Sequence, residues 1–246
     1  MDKNIIELED KSIIKLENKN IIELKNINKS YGKAMETQVL FDINISFKEK
    51  SFNSIIGESG CGKSTMLNIM GTLDKPTSGE VYIDGQRTDF MTSDELAETR
   101  NEKIGFIFQF HYLLPDFTAL ENVLMPYMIK NVKPPKEILE RALELIELVG
   151  LSKVRNNLAN NMSGGQQQRA AIARALMNNP NIILADEPTG NLDSRSTENV
   201  YAIMREMNEK FKTTFIIITH DKRIAERTDR VIEISDGRIL SDVSNH

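Results

Sequence analysis

The chain has 246 residues, of which 40% are hydrophobic and 27% charged, and it carries a formal net charge of −5. This is the balance of a soluble globular protein with room for one large domain and a substantial core, and the acidic excess argues against a partner held through nucleic-acid phosphates. The single cysteine, Cys61, excludes an internal disulfide framework and a structural zinc site built on cysteines. No apolar run approaches the roughly 20 residues of a membrane helix. The longest, Phe215 to Ile218, is strand-sized, and the charged N-terminus lacks the apolar centre of a signal peptide. A role at a membrane therefore requires another protein to hold the chain there.

In chain order, residues 1–20 read as a poorly ordered extension. The repeat of "NIIEL" at Asn4 and Asn20 leaves open an extra edge strand. Regular structure is expected from Ile21: Ile22, Leu24 and Ile27 pair antiparallel with Val39 to Phe47, and Tyr31 to Gln38 forms the connecting loop. Ser54 to Ile56 ends a buried strand that enters a glycine-rich turn, and a helix follows with Met66, Leu67, Ile69 and Met70 as its apolar side. Pro76 to Gly79 is a turn, and Glu80 to Ile83 a short strand. Thr92 with Glu95, and Thr118 with Glu121, have the spacing of capping boxes at helix starts. Ile104 to Gln109 is strand-like. After Pro134 and Pro135, apolar residues from Ile138 to Val149 recur at helical spacing, and Gly150 is placed to stop them. A helix runs from Ser163 to near Pro180, strands cover Ile182 to Ala185 and Phe215 to Ile218, and Val200 to Phe211 is helical. Strands alternating with helices predict an α/β fold with a mostly parallel sheet. An antiparallel β subdomain precedes it, and a helical subdomain over roughly 90–165 is inserted into it.

Gly57-Glu58-Ser59-Gly60-Cys61-Gly62-Lys63-Ser64-Thr65 fits the phosphate-binding P-loop. Several backbone N–H groups must point inward at once, so Gly57, Gly60 and Gly62 keep the loop bare, and the following helix aims its positive end at the phosphates. Lys63 supplies a mobile charge, and Ser64 a hydroxyl for Mg²⁺. Cys61 is counted with the nucleotide-binding loop, its side chain read as a small filler. Ile182 to Ala185 is an apolar strand ending in Asp186 and Glu187. Asp186 is the expected Mg²⁺ holder, and Glu187 the group that accepts a proton from, or orients, an attacking water.

Met162-Ser163-Gly164-Gly165-Gln166-Gln167-Gln168-Arg169 resembles the signature motif of the ABC ATPases, with Met162 where that family usually has Leu. Ser163 reads as an N-cap, and Gly164 and Gly165 as bare backbone at a second helix start, which suggests ATP clamped between two copies of the chain. The resemblance spans about Ile21 to Ser241 and implies a RecA-like P-loop NTPase core. It implies further site residues: Gln109 as sensor of Mg²⁺ and the attacking water, Asp193 in an interface loop from Asn191, His220 as the residue facing the γ-phosphate, and Tyr31 as the aromatic that stacks on adenine. Gln166 joins Ser163, Gly164 and Gly165 in the half-site offered to the second copy, and Ser59 and Thr65 belong to the cradle.

The stretches "GTLDKPTSGEVYIDG" from Gly71, "FQFHYLLPDFTALENV" from Phe108 and "DEPTGNLDS" from Asp186 narrow the likeness to the lipoprotein-releasing and macrolide-exporting group (LolD/MacB type). The cell-division ATPase is the neighbouring alternative. The likeness implies ATP and Mg²⁺ as ligands, and a second copy and a permease with an extracytoplasmic domain as partners. It implies a place on the cytoplasmic side of the membrane. Phe110, Tyr112, Leu113, Leu114 and Phe117 form a loop apolar enough either to pack into the helical lobe or to receive a permease helix.

Overall fold

Two long strands open the described chain: β1 (Asn20–Tyr31) and β2 (Thr37–Lys48) pair antiparallel with Ile22 opposite Phe47, Leu24 opposite Ile45 and Ile27 opposite Ile43. The computed structural model describes residues 19–32, 36–131 and 133–245. The expected extension, with the first "NIIEL", therefore lies outside the described residues up to position 18, while the second "NIIEL" begins β1. Pairing continues to Tyr31 opposite Thr37, so the connecting loop is shorter than the expected Tyr31 to Gln38. β4 (Ser78–Ile83) adds to the other side of β1 and carries the short β5 (Gln86–Arg87), giving an antiparallel sheet of order β2-β1-β4-β5.

The second sheet has six strands in the order β10-β9-β3-β8-β7-β6. They are β3 (Phe52–Ile56), β6 (Ile104–Phe108), β7 (Ile182–Asp186), β8 (Thr214–Ile218), β9 (Arg230–Ser235) and β10 (Arg238–Ser244). Every pairing is parallel except that of β9 with β10. This hairpin is an addition to the elements expected from sequence, although Asp236-Gly237 between its strands is a strong turn signal.

Alternate residues of the central strands serve opposite faces, as the period of a strand requires. Ile182, Leu184, Ile216, Ile218 and Ile55 pack with the antiparallel sheet and with α1 (Lys63–Met70), while Ile183, Ala185, Phe215, Ile217 and Phe52 pack into the helical layer. That layer contains α3 (Ala119–Met128), α4 (Lys136–Leu148), α5 (Gly164–Ala175) and α6 (Ser194–Phe211); α2 (Ser93–Lys103) precedes β6, and a short α7 (Lys222–Ala225) follows β8. Both expected capping boxes are present: the Thr92 and Thr118 hydroxyls accept from the N–H of Glu95 and Glu121, whose carboxylates accept in return. Each cap contributes about 1 kcal/mol. α6 starts six residues before the expected Val200, because Asp193 caps it by accepting from the N–H of Arg195 and Ser196. Within 90–165, β6 belongs to the parallel sheet, so the helical elements there flank a core strand.

At Gly105 in β6, the carbonyl of Ala175 at the end of α5 would stand 2.3 Å from an added Cβ, and Ile183 Cδ1 2.4 Å from it. Here α5 rests directly on the strand's backbone. Gly105→Ala is expected to destabilise the fold by about 1–3 kcal/mol through overpacking. Thermal melting followed by circular dichroism should register a fall of about 2–4 °C per kcal/mol. An unchanged melting temperature would show that α5 can move away freely.

Candidate functional site

Because β3, β7 and β8 run parallel, their carboxyl ends lie at one edge of the sheet, where open α/β sheets bind ligands. The glycine-rich loop after Ile56, the carboxylates after Ala185 and His220 after Thr219 therefore meet. A cavity of about 400 Å³ opens between them, lined by Gly57, Ser59, Gly60, Gly62, Lys63, Ser64, Thr65, Gln109, Asp186, Glu187 and His220.

The loop is held close to β9. At Gly57, φ is +152° and an added Cβ would lie 2.2 Å from the Ile234 carbonyl oxygen, so no other residue fits without moving a strand. Lys63 is buried, and its ammonium donates to the carbonyls of Gly57 (2.8 Å) and Glu58 (2.7 Å), which centres its charge beneath the loop. α1 starts at Lys63 with its free N–H groups turned to the same loop. Cys61 does not line the cavity. It is buried among the apolar residues that pack against α1, so of the residues expected in the phosphate loop it stands as a filler and not as part of the cavity lining.

Ser64 Oγ donates to Asp186 Oδ1 at 3.4 Å, so the two expected Mg²⁺ holders are adjacent. Burial, followed by the charge of Glu187, pushes the Asp186 carboxyl above its usual pKa, against the opposing Ser64 hydrogen bond and Lys63 charge. A cation would relieve that cost. The donors are hard oxygens, and no group of three or more His, Cys, Asp or Glu side chains suited to a metal exists among the described residues. A few protein oxygens completed by substrate phosphates suit Mg²⁺ rather than an all-protein cage. Gln109 also lines the cavity, while its amide nitrogen donates to Asn191 Oδ1 at 3.2 Å.

Glu187 lies in the left-handed region at φ +47°, an uncommon position for glutamate, and is fixed by its N–H to the Ile218 carbonyl at 3.0 Å. His220 Nδ1–H donates to Glu187 Oε2 at 2.8 Å. The strand ends thus bring an acid and a histidine into one hydrogen-bonded pair at the cavity.

Ser163, Gly164, Gly165 and Gln166 do not line that cavity. Ser163 caps α5 in a full capping box with Gln166, so the helix start is well formed and faces elsewhere. Asp193 lies apart as well, with both carboxylate oxygens engaged in capping α6. Tyr31 is outside the phosphate end, its hydroxyl bonded to Asp74.

The loop after Gln109 divides in two. Leu113 packs against the core, whereas Phe110, Tyr112, Leu114 and Phe117 are exposed. Beside it a largely apolar groove of about 430 Å³ is lined by Leu73, Phe106, Phe108, Pro126 and Ile129. Arg174 of α5 donates to the carbonyls of His111 (2.7 Å) and Tyr112 (2.5 Å), both at positive φ, and so fastens the loop to the helix that begins at Ser163. Nothing local in the sequence marks Arg174, since its partners lie about sixty residues away.

The family model described as "ABC transporter" matches residues 40–190. The chain is 48% identical over 215 residues to the lipoprotein-releasing system ATP-binding protein LolD 1 of Rhodopseudomonas palustris, covering 87% of this chain and 95% of that one. A solved dimer of the ATP-binding cassette MJ0796, in a post-hydrolysis state bound to ADP and Pi, superposes with a TM-score of 0.84 at 44% identity, covering 92% of this chain and 99% of that one. CbiO1 from Clostridium perfringens, part of the transporter complex cbiONQ, superposes at 0.82 with 26% identity over 92% of this chain and 89% of its own. A P-loop cradle, a two-carboxylate strand end and a second capped helix start, carried on this fold and joined by these likenesses, mark the chain as a member of the ABC transporter family, an ATP-hydrolysing subunit of the LolD/MacB type.

Proposed function

We propose that two copies of the chain close head to tail on two Mg-ATP molecules and drive a permease of the lipoprotein-release or macrolide-export type. The observation that carries this reading is the separation of the two phosphate-binding helix starts. The cradle at α1 lines the cavity with Asp186 and Glu187, while the capped start of α5 does not, so one chain holds only part of a nucleotide's surroundings. A second copy that offers Ser163, Gly164, Gly165 and Gln166 completes them. The dimeric form of the MJ0796 cassette supports the same arrangement.

In this reading Gly57, Ser59, Gly60, Gly62 and Thr65 present the loop to the phosphates, Lys63 balances their charge, and Tyr31 receives the base. Ser64, Asp186 and Gln109 hold Mg²⁺, which supplies positive charge to the phosphate oxygens when bound. Glu187 orients the attacking water and takes its proton, and His220, bonded to Glu187, keeps that carboxylate in place. Asp193 shapes the loop that meets the second copy. The permease docks at the exposed apolar loop of Phe110, Tyr112 and Leu114 and the neighbouring groove, which holds the subunit at the cytoplasmic face. Among the described residues, no helix is long and apolar enough to cross a membrane, which fits attachment through such a partner.

Glu187→Gln is expected to bind ATP normally and to lose hydrolysis by about 100-fold or more. The ATP-bound dimer should accumulate on size-exclusion chromatography. Near-normal turnover would remove Glu187 from the catalytic role.

Lys63→Ala and Ser163→Arg are each expected to be inactive, the first through weakened ATP binding and the second through blocked closure. Mixed together they should regain activity, since a mixed dimer contains one site with both defects and one with neither. ATPase assays across mixing ratios measure this, and equal loss of nucleotide affinity in both variants would refute the clamp.

Phe110→Ser or Leu114→Ser is expected to spare basal hydrolysis and abolish stimulation by the reconstituted permease. Normal stimulation in both variants would move the docking surface elsewhere.

A further inference from the structure

Tyr31 ends β1 as a residue 43% exposed, yet its hydroxyl is tightly held. It donates to Asp74 Oδ2 at 2.6 Å. The other oxygen of Asp74 accepts from Lys29 Nζ and from the Lys75 N–H, both at 2.7 Å. The Lys29 ammonium also donates to the Lys75 carbonyl at 2.7 Å and stands 4.6 Å from the centroid of the Tyr31 ring. Its side chain is only 10% exposed, so the Lys29–Asp74 pair is largely shielded from water.

Two consequences follow from this geometry. Asp74 lies shortly after the last turn of α1, so the phenol is fastened to the segment that leaves the helix facing the phosphate cradle. The ring is thereby set at a fixed spacing from the phosphates. The ammonium also covers one ring face, which leaves the other for a flat ligand. A cation already over the ring disfavours a second one, so the open face suits a neutral heteroaromatic group such as a purine.

We propose that Asp74, braced by Lys29, is a positioning residue for the nucleobase: it fixes the Tyr31 ring at the spacing from the P-loop that a nucleoside triphosphate requires. This rests on the reading of Tyr31 as the base-stacking residue and assigns what holds it. Burial works to raise the Asp74 carboxyl, and the hydrogen bonds from Lys29, Tyr31 and Lys75 overcome it and keep the group below its ordinary pKa, hence charged and a strong acceptor. Pre-ordering one side chain at a binding surface strengthens binding by about 2- to 10-fold. Stacking accepts any base, so the effect should be alike for ATP and GTP.

The test uses the full chain and two probes, ATP and inorganic tripolyphosphate, which has phosphates but no base. Binding of each is measured by calorimetry for wild type, Tyr31→Ala, Tyr31→Phe, Asp74→Asn and Asp74→Ala. Tyr31→Ala should lower ATP affinity by roughly 10-fold and leave tripolyphosphate unchanged. Tyr31→Phe and Asp74→Ala should each lower ATP affinity by about 2- to 10-fold, again without affecting tripolyphosphate. Asp74→Asn keeps an acceptor oxygen and should recover part of the loss. If Asp74→Ala weakens both probes equally, Asp74 acts only on the fold and the proposal fails. If Tyr31→Ala lowers the ATP preference while Tyr31→Phe and Asp74→Ala do not, the ring binds the base without Asp74 and the proposal alone is overturned. If Tyr31→Ala leaves ATP binding unchanged, the base does not sit on Tyr31 and the underlying reading is overturned with it.

Discussion

The site depends on one constraint, the parallel pairing of β3 with β8 and of β8 with β7. Parallel strands end on the same side, so three loops from distant parts of the chain must emerge together. β3 delivers the glycine-rich loop, β7 the two carboxylates and β8 the histidine. Burial on both faces makes this arrangement rigid. Ile55, Ile183, Leu184, Ile216 and Ile217 are shielded from solvent, and each contributes about 1.5–3 kcal/mol of hydrophobic free energy relative to exposure. Part of that stability offsets the local cost of Glu187 at positive φ and of Asp186 buried next to a second acid.

The same sheet carries two layers with different tasks. One face packs against α1 and the antiparallel strands, and this half of the molecule holds Tyr31, Asp74 and Lys63. The other face packs against α3 to α6, including the capped helix start at Ser163. The loop between Gln109 and Thr118 joins the cavity to the helical half. Arg174 fastens its backbone to α5, the buried Gln168 donates to the Phe108 carbonyl at 3.4 Å, and Gln109 reaches Asn191. These contacts tie the loop both to a side chain of the cavity and to the helix whose start is proposed for the second copy. The exposed aromatic residues of the proposed permease contact lie on that same loop.

In the proposed function, the separation of the two helix starts leaves a single chain with only part of the positive potential that a highly charged ligand needs. One helix N-terminus carries about half an elementary charge. Lys63 adds a full charge, but a triphosphate carries several negative charges. A second helix start from another copy, together with a divalent cation, supplies the remaining positive potential in the proposed closed state. Closure is then favoured by the ligand itself, which links nucleotide occupancy to association.

Much of the fold and of the site composition was legible in the sequence, because the signals are local. The capping boxes at Thr92 and Thr118, the N-cap at Ser163, the apolar runs of β7 and β8, and the glycine spacing from Gly57 to Gly62 each depend on residues within one or two turns of backbone. Two further elements also have local signals: Asp193 caps α6 ahead of Val200, and Asp236-Gly237 turns the β9–β10 hairpin. What no local pattern contains is which distant groups meet. The pairing of Glu187 with His220, the capture of the His111 and Tyr112 carbonyls by Arg174, and the fastening of Tyr31 by Asp74 and Lys29 join residues up to 63 positions apart, through contacts that exist only once the sheets have packed. The sequence by itself determined the chemical groups and the strand or helix end that bears each one, since these follow from spacing and residue type. Tertiary structure alone decided which of those ends face one cavity and which face away, because strand order and direction are set by the burial of both sheet faces at once.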